Sequence, residues 1–257
     1  MNVVSMVGTV FAYVGGIAFV ALGVYRSVRG RRLDPLLLVC ISAISFSWIE
    51  APYDWAMYAQ FPPSMPRMPS WWPMNMTWGG LPSAVPPGYI AYFVLPAFIA
   101  VFVGRKLSQR LQWRRPLALL GTGLTIGFLW ALIFNGGLGA QLGAFYYGRV
   151  IGGLAIFEGT KHQYPLYDAL AMGVLVMVFA YILGRTDAQD RTIVQQWADS
   201  RTSSAVRSAM LSVAAFILIG HVVYGAVFAP HLVSKLAGLV TVGPTEPLFD
   251  GVQNQPQ

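Results

Sequence analysis

Apolar residues along this chain gather into six long runs, near 3–25, 35–58, 88–104, 116–134, 167–184 and 205–229, separated by polar and basic stretches. Each run has the roughly 17 to 25 residues that carry an α-helix across about 30 Å of hydrocarbon. The pattern predicts an all-α fold, a polytopic membrane helical bundle of six transmembrane helices over 1–232. Two long outer loops, 59–87 and 135–166, and a flexible outer tail at 233–257 complete the expected organisation. The first run has no Lys or Arg ahead of it and no small-residue cleavage site after it, so it reads as a transmembrane helix rather than a removable signal.

Composition agrees: 56% of residues are hydrophobic and 11% charged, against roughly a quarter charged in soluble domains. The net charge of +7 raises the question of nucleic acid, and the positions of the cations answer it. Thirteen of the seventeen Lys and Arg fall in 26–32, 105–115 and 185–207, the alternate connections of a six-helix chain. By the positive-inside rule these connections are cytoplasmic, which predicts a multi-pass protein of the cell membrane with both termini outside and no nucleic-acid partner. The single cysteine, Cys40, lies inside an apolar run, which excludes an intrachain disulfide.

The two outer loops are unlike the basic ones. Residues 60–88 hold eight prolines, three tryptophans and four methionines, too aromatic for a disordered linker, and predict a folded cap with Trp71, Trp72 and Trp78 at the interfacial level. The second loop is rich in glycine, yet carries Arg149, Glu158, Lys161, His162 and Asp168. Its "GRVIGGLAIF" is too short to span and predicts a re-entrant or interfacial piece.

Counting depth at the helical rise of 1.5 Å per residue places Glu50 about 22 Å and Asp54 about 28 Å from Pro35. His221 lies about 21 Å from Arg207, and Trp130 and Asn135 about 21 and 28 Å from Pro116. Tyr89, Tyr92, Tyr164, Tyr167 and Asp168 reach the same interface from descending helices. Polar side chains therefore gather in the outer third, the geometry of a cavity opening outward. Glu50 and Asp54, four apart, share a helical face, with Trp48 and Trp55 on a neighbouring stripe. Pro52 removes a bond to the Trp48 carbonyl and predicts a kink between them. His221 and Tyr224 share a face beside Gly220 and Gly225.

Carboxyls at this depth cost a few kcal/mol each on insertion scales, so they mark an interior site. Two readings stand side by side: a general acid and base pair, or a structural role, as an ion pair, for instance with Arg149 or Lys161, or as a hydrogen bond to Tyr. Glu50, Asp54, His221 and Glu158 are the candidate catalytic groups. Trp48, Tyr53, Trp55, Trp78, Tyr92, Asn135, His162, Tyr164 and Tyr224 are the candidate substrate-binding groups. His231, beside Pro230, reads as structural. The histidines show no HxxxH or HxxHH box, and GxSxG, GxxxxGK[ST] and GxGxxG are absent. The expected chemistry uses no metal and no cofactor, only carboxyl, imidazole, phenol and indole groups on an apolar substrate.

The segments "WIEAPYDWAMY", "MPSWWPMNMTWGG", "PPGYIAYF" and "EGTKHQYPLYD" resemble the spirocyclase AveC family, small integral membrane proteins of actinobacteria, over roughly 35–230. The resemblance implies dehydration and cyclisation of a keto-diol to a spiroketal. For such a reaction, depth and residue chemistry rather than the resemblance make Glu50 the acid and Asp54 the base or counter-charge, with Trp48, Trp55 and Trp78 facing a cation. The substrate class is a hydrophobic polyketide or isoprenoid-type molecule. The alternative is a non-catalytic lipid-binding or transport accessory protein, with a purely structural subunit as a further possibility.

Overall fold

The computed structural model describes residues 3–249. Six helical spans are long and apolar enough to cross a membrane. The first is α1 (Val3–Gly30). The second is broken in the middle: α2 (Pro35–Phe46), one tight turn at Ser47–Ile49, then α3 (Glu50–Met57). There follow α4 (Val85–Arg110) and α5 (Arg115–Ala131), the latter running on as a π-helix over Leu132–Gln141. The last spans are α6 (Leu166–Gly184) and α8 (Ala205–Leu236), with the short α7 (Ile193–Arg201) between them.

Local chemistry explains these boundaries. Asp34 accepts from the backbone N–H of Leu36 and Pro35 occupies the first turn, so α2 starts with a capped end. The span breaks where Pro52 supplies no N–H for the Trp48 carbonyl, and the chain tightens to a 3₁₀ turn there. Helix α3 stops at Tyr58, whose φ of 55° is left-handed.

The basic connections meet at one end. Arg115 donates to the Gly184 carbonyl at 2.8 Å, and Gln195 to the Leu33 carbonyl at 2.8 Å. Helix α7 lies in this end, started by a reciprocal cap between Thr192 and Gln195.

The opposite end is closed by short strands: β1 (Ala59–Gln60), β2 (Tyr146–Tyr147), β3 (Val150–Ile151), β4 (Ala155–Ile156), β5 (Tyr164–Pro165) and β6 (Val240–Val242). They pair antiparallel as β1 with β2, β3 with β6, and β4 with β5. The stretch "GRVIGGLAIF" is thus strand and turn rather than a re-entrant segment. The irregular backbone is instead the π-helix, which occupies the first residues assigned to the second loop. The segment from 233 also differs from the expected tail: α8 continues to Leu236, β6 pairs with β3, and Leu248 is buried. A strand edge far away in sequence supplies its hydrogen bonds, so composition alone reads it as loose. Residues 250–257 of the expected tail lie outside the described residues.

Small residues set the helix spacing. A Cβ at Gly16 would meet the Pro87 carbonyl oxygen at 2.6 Å, so α1 closes on the start of α4 there. Gly220 lets α8 meet Ser42 and Phe46 of α2, and Ser42 donates to the Phe216 carbonyl at 2.7 Å. Gly225 faces open space and has no such role. Phe46, Phe93 and Phe179 form the buried aromatic centre, with Phe46 stacked on Tyr224 at 5.1 Å.

Candidate active site

Where the strands cap the bundle, a cavity of about 630 Å³ opens among α1, α3, α4, the π-helix and α6. Its walls are apolar, with Phe11, Met57, Phe93, Phe134 and Met172 among them. Against that surface stand Glu50, Asp54 and Asp168. The break at Ser47–Ile49 sets the register: Glu50, Tyr53, Asp54 and Met57 follow at i, i+3, i+4 and i+7 and all line the cavity. The π-helix brings Asn135 to the same space, its wide turn held near Tyr164 by Gly136, where a Cβ would meet the ring at 2.9 Å.

The carboxyls differ in how they are held. Asp168, 1% exposed, accepts from Tyr53 at 2.7 Å on Oδ1, and on Oδ2 from Asn135 at 3.1 Å, Tyr147 at 3.1 Å and Tyr164 at 3.0 Å. Tyr53 in turn accepts from His231 Nε2 at 3.1 Å, because its own hydroxyl hydrogen goes to Asp168. Glu50 uses one oxygen only: Oε2 accepts from Tyr224 at 2.5 Å and from Tyr89, and those two phenols also touch each other. Its Oε1 makes no hydrogen bond among the described residues. Asp54 accepts from Thr77 of the first loop at 2.9 Å on Oδ2, and its Oδ1 is likewise unbonded.

None of the three carboxyls has a Lys or Arg within 4.0 Å among the described residues. Of the structural alternatives, the hydrogen bond to tyrosine is made by Glu50, with Tyr89 and Tyr224, whereas the ion pair with Arg149 or Lys161 is not formed. Arg149 instead lies over the Tyr58 ring, and Lys161 pairs with Glu246 at 3.8 Å. Burial holds the Tyr147 and Tyr164 phenols well above their ordinary range, with the Asp168 charge adding to it, so both remain donors near neutral pH.

Of the residues expected from sequence, Glu50, Tyr53, Asp54, Tyr92 and Asn135 line the cavity, while Tyr164 and Tyr224 hold its carboxyls. Others lie elsewhere. His221 donates from Nδ1 to the Ile217 carbonyl and accepts the Trp48 indole N–H on Nε2 at 3.2 Å, away from the cavity. His162 bonds the Ala140 carbonyl, and Glu158 is exposed, accepting from the Gly153 N–H at 2.7 Å. Trp55 and Trp78 line a second recess. Sequence reasoning placed Asp168 and Tyr89 at the right depth without assigning them a role, passed over Tyr147, and read His231 as structural. The available signal was Tyr164 four residues before Asp168, a spacing that puts a phenol beside a carboxyl on one helical turn. Among the described residues, no group of three or more His, Cys, Asp or Glu is arranged to hold a metal ion.

Six helices of membrane-spanning length around an apolar cavity with unpaired carboxyls define a helical protein of membrane type with an acid-bearing pocket. The chain belongs to the spirocyclase AveC-like family, whose model matches residues 28–255. Membership points to a cyclase-type function. No curated protein and no solved structure matches the chain.

Proposed function

We propose that the protein is a membrane cyclase and dehydratase that closes rings on a hydrophobic polyketide- or isoprenoid-type substrate by acid and base catalysis in this cavity. The observation that carries the reading is the pair of half-used carboxyls. Glu50 and Asp54 sit one helical turn apart, each with one oxygen tied to the protein and the other unbonded, in an apolar space.

For a keto-diol the steps balance as follows. Glu50 gives a proton to the ketone oxygen as one substrate hydroxyl attacks the carbonyl carbon and passes its proton to Asp54. The resulting hemiketal hydroxyl takes that proton back and leaves as water. The oxocarbenium ion left behind faces the carboxylate of Asp168, whose four donors fix its position. The second hydroxyl then closes the second ring and returns a proton to Glu50. One water is released and both carboxyls are restored. With the basic connections on the cytoplasmic side, the cavity and both chain termini lie toward the outer face.

The test is mass spectrometry of lipid extracts from a deletion strain complemented with wild type or with Glu50→Gln. The reading expects the wild type alone to restore the cyclised product, with an uncyclised precursor heavier by one water accumulating in the variant. Identical product profiles in the two complemented strains would overturn it. A changed distribution of one unaltered compound across the membrane would favour the transport alternative.

A further inference from the structure

Beside the acid cavity, and sharing Asp54 and Ala59 with it, lies a second recess of about 610 Å³. Five separate parts of the chain build it: the end of α3, the first loop at Met76 and Trp78, the turn between β2 and β3, the end of α8, and the segment after β6. The pairing of β1 with β2 and of β3 with β6 holds them together.

Two cations face this recess, Arg149 and Lys235, and among the described residues neither has a carboxylate within ion-pair distance. Both lie against the ring of Tyr58, Lys235 Nζ at 3.5 Å and Arg149 Cζ at 5.7 Å from its centre. Lys235 also lies 4.0 Å over the Trp55 ring and donates to the Trp55 carbonyl at 2.5 Å, which leaves further N–H groups of its ammonium unused. The guanidinium of Arg149 makes no hydrogen bond among the described residues. Tyr58 itself is a non-glycine residue in left-handed backbone, and its carbonyl accepts the Gly148 N–H at 2.8 Å, one residue before Arg149. The chain thus holds an unfavourable conformation that seats this ring against both cations.

An interfacial aromatic belt with snorkelling cations projects its groups outward into headgroups. Here they line a recess walled by five parts of the chain. Among the described residues Asp54 is the one acidic side chain on its lining, and one oxygen of that carboxyl is occupied by Thr77. We propose that this recess binds the anionic head, carboxylate or phosphate, of an amphiphilic molecule, with Arg149 and Lys235 as charge partners and Trp55, Tyr58 and Trp78 packing its first methylenes. The site stands on its own geometry and does not depend on the chemistry proposed for Glu50.

Equilibrium binding to the purified full-length protein in a neutral detergent tests it, with oleate, oleoyl lysophosphatidate, oleyl alcohol and inorganic phosphate as probes. Oleate and the lysophosphatidate should bind at least about ten-fold more tightly than oleyl alcohol, and inorganic phosphate more weakly than either. Arg149→Gln and Lys235→Gln should each weaken oleate about ten-fold, Arg149→Lys less, and Glu50→Gln not at all. Equal affinity for oleate and oleyl alcohol would overturn the proposal on the wild type alone, whatever the variants do. Inorganic phosphate binding as tightly as the amphiphiles would overturn the assignment to an amphiphile. Oleate affinity unchanged in both glutamine variants would overturn the assignment to these cations.

Discussion

Asp168 and Glu50 line one cavity, and they are held in opposite ways. Asp168 is fully engaged, both oxygens accepting, with four donors drawn from α3, the π-helix, β2 and β5. Glu50 is half engaged, with two phenols on one oxygen and nothing on the other. A buried acceptor surrounded by donors is a structural anchor, because moving a proton onto it must displace one of them. A carboxyl with a free oxygen toward empty apolar space is placed to exchange a proton with whatever enters. On the proposed reading, the saturated group holds the cavity in shape and supplies a fixed counter-charge, and the unsaturated one exchanges a proton with the substrate.

The largest expected effect tests the unsaturated side. Glu50→Gln keeps the shape and the acceptor for Tyr89 and Tyr224 but removes the exchangeable proton, so turnover should fall about 10²- to 10⁴-fold. Product formation by membranes of the complemented strain measures it, and thermal unfolding in detergent should move little. Asp168→Asn should behave the other way. Its amide nitrogen faces hydroxyls that were donating, and leaving buried donors unmatched costs roughly 1–3 kcal/mol each. The thermal midpoint should drop clearly, with activity falling in step with the folded fraction and further where the cation loses its counter-charge. If Glu50→Gln were the destabilised variant and Asp168→Asn the folded but inactive one, the two roles would be exchanged.

A smaller effect sharpens the contrast. Tyr89→Phe and Tyr224→Phe each leave Glu50 Oε2 one phenol, so each should lower turnover about five- to ten-fold, near 1 kcal/mol per hydrogen bond. The double variant should lose less than the product of the two, because the bond between the two hydroxyls is already gone in either single variant. Rates from the four forms give the coupling, and strict additivity would mean that the phenols do not act as a unit.

How much of this was legible beforehand follows from the same contrast. The six spans could be read because hydrocarbon thickness imposes one length on every helix, and Glu50 and Asp54 because charge inside such a span is rare. Asp168 was harder, since it falls in the first turn of α6, where a carboxyl is unremarkable in sequence, and its donors come from positions 53, 135, 147 and 164. The break at Ser47–Ile49 was foreseen as a kink at Pro52, but not its effect, which is to start a new helix at Glu50. The histidines misled because depth alone does not say which way a side chain turns. His221 shares the level of Glu50 and bonds Trp48 on another face of α8, while His231, near the helix end, is the one that reaches Tyr53.

The smallest expected effect bounds the site. Glu158 drew attention as a carboxyl among apolar residues, yet it is exposed and its Oε2 accepts from the N–H of Gly153, whose φ of 76° marks a tight turn. A glutamine there keeps an acceptor for that N–H and changes only charge at the surface. Glu158→Gln should therefore leave turnover unchanged and shift stability by no more than about 0.5 kcal/mol. Because Glu50→Gln makes the same chemical change to the same type of residue, the two variants differ only in where the carboxyl stands. A large loss at Glu158 in the product assay, with the thermal midpoint unchanged, would mean that the reacting centre lies in the strand-bearing loop rather than in the cavity beneath it.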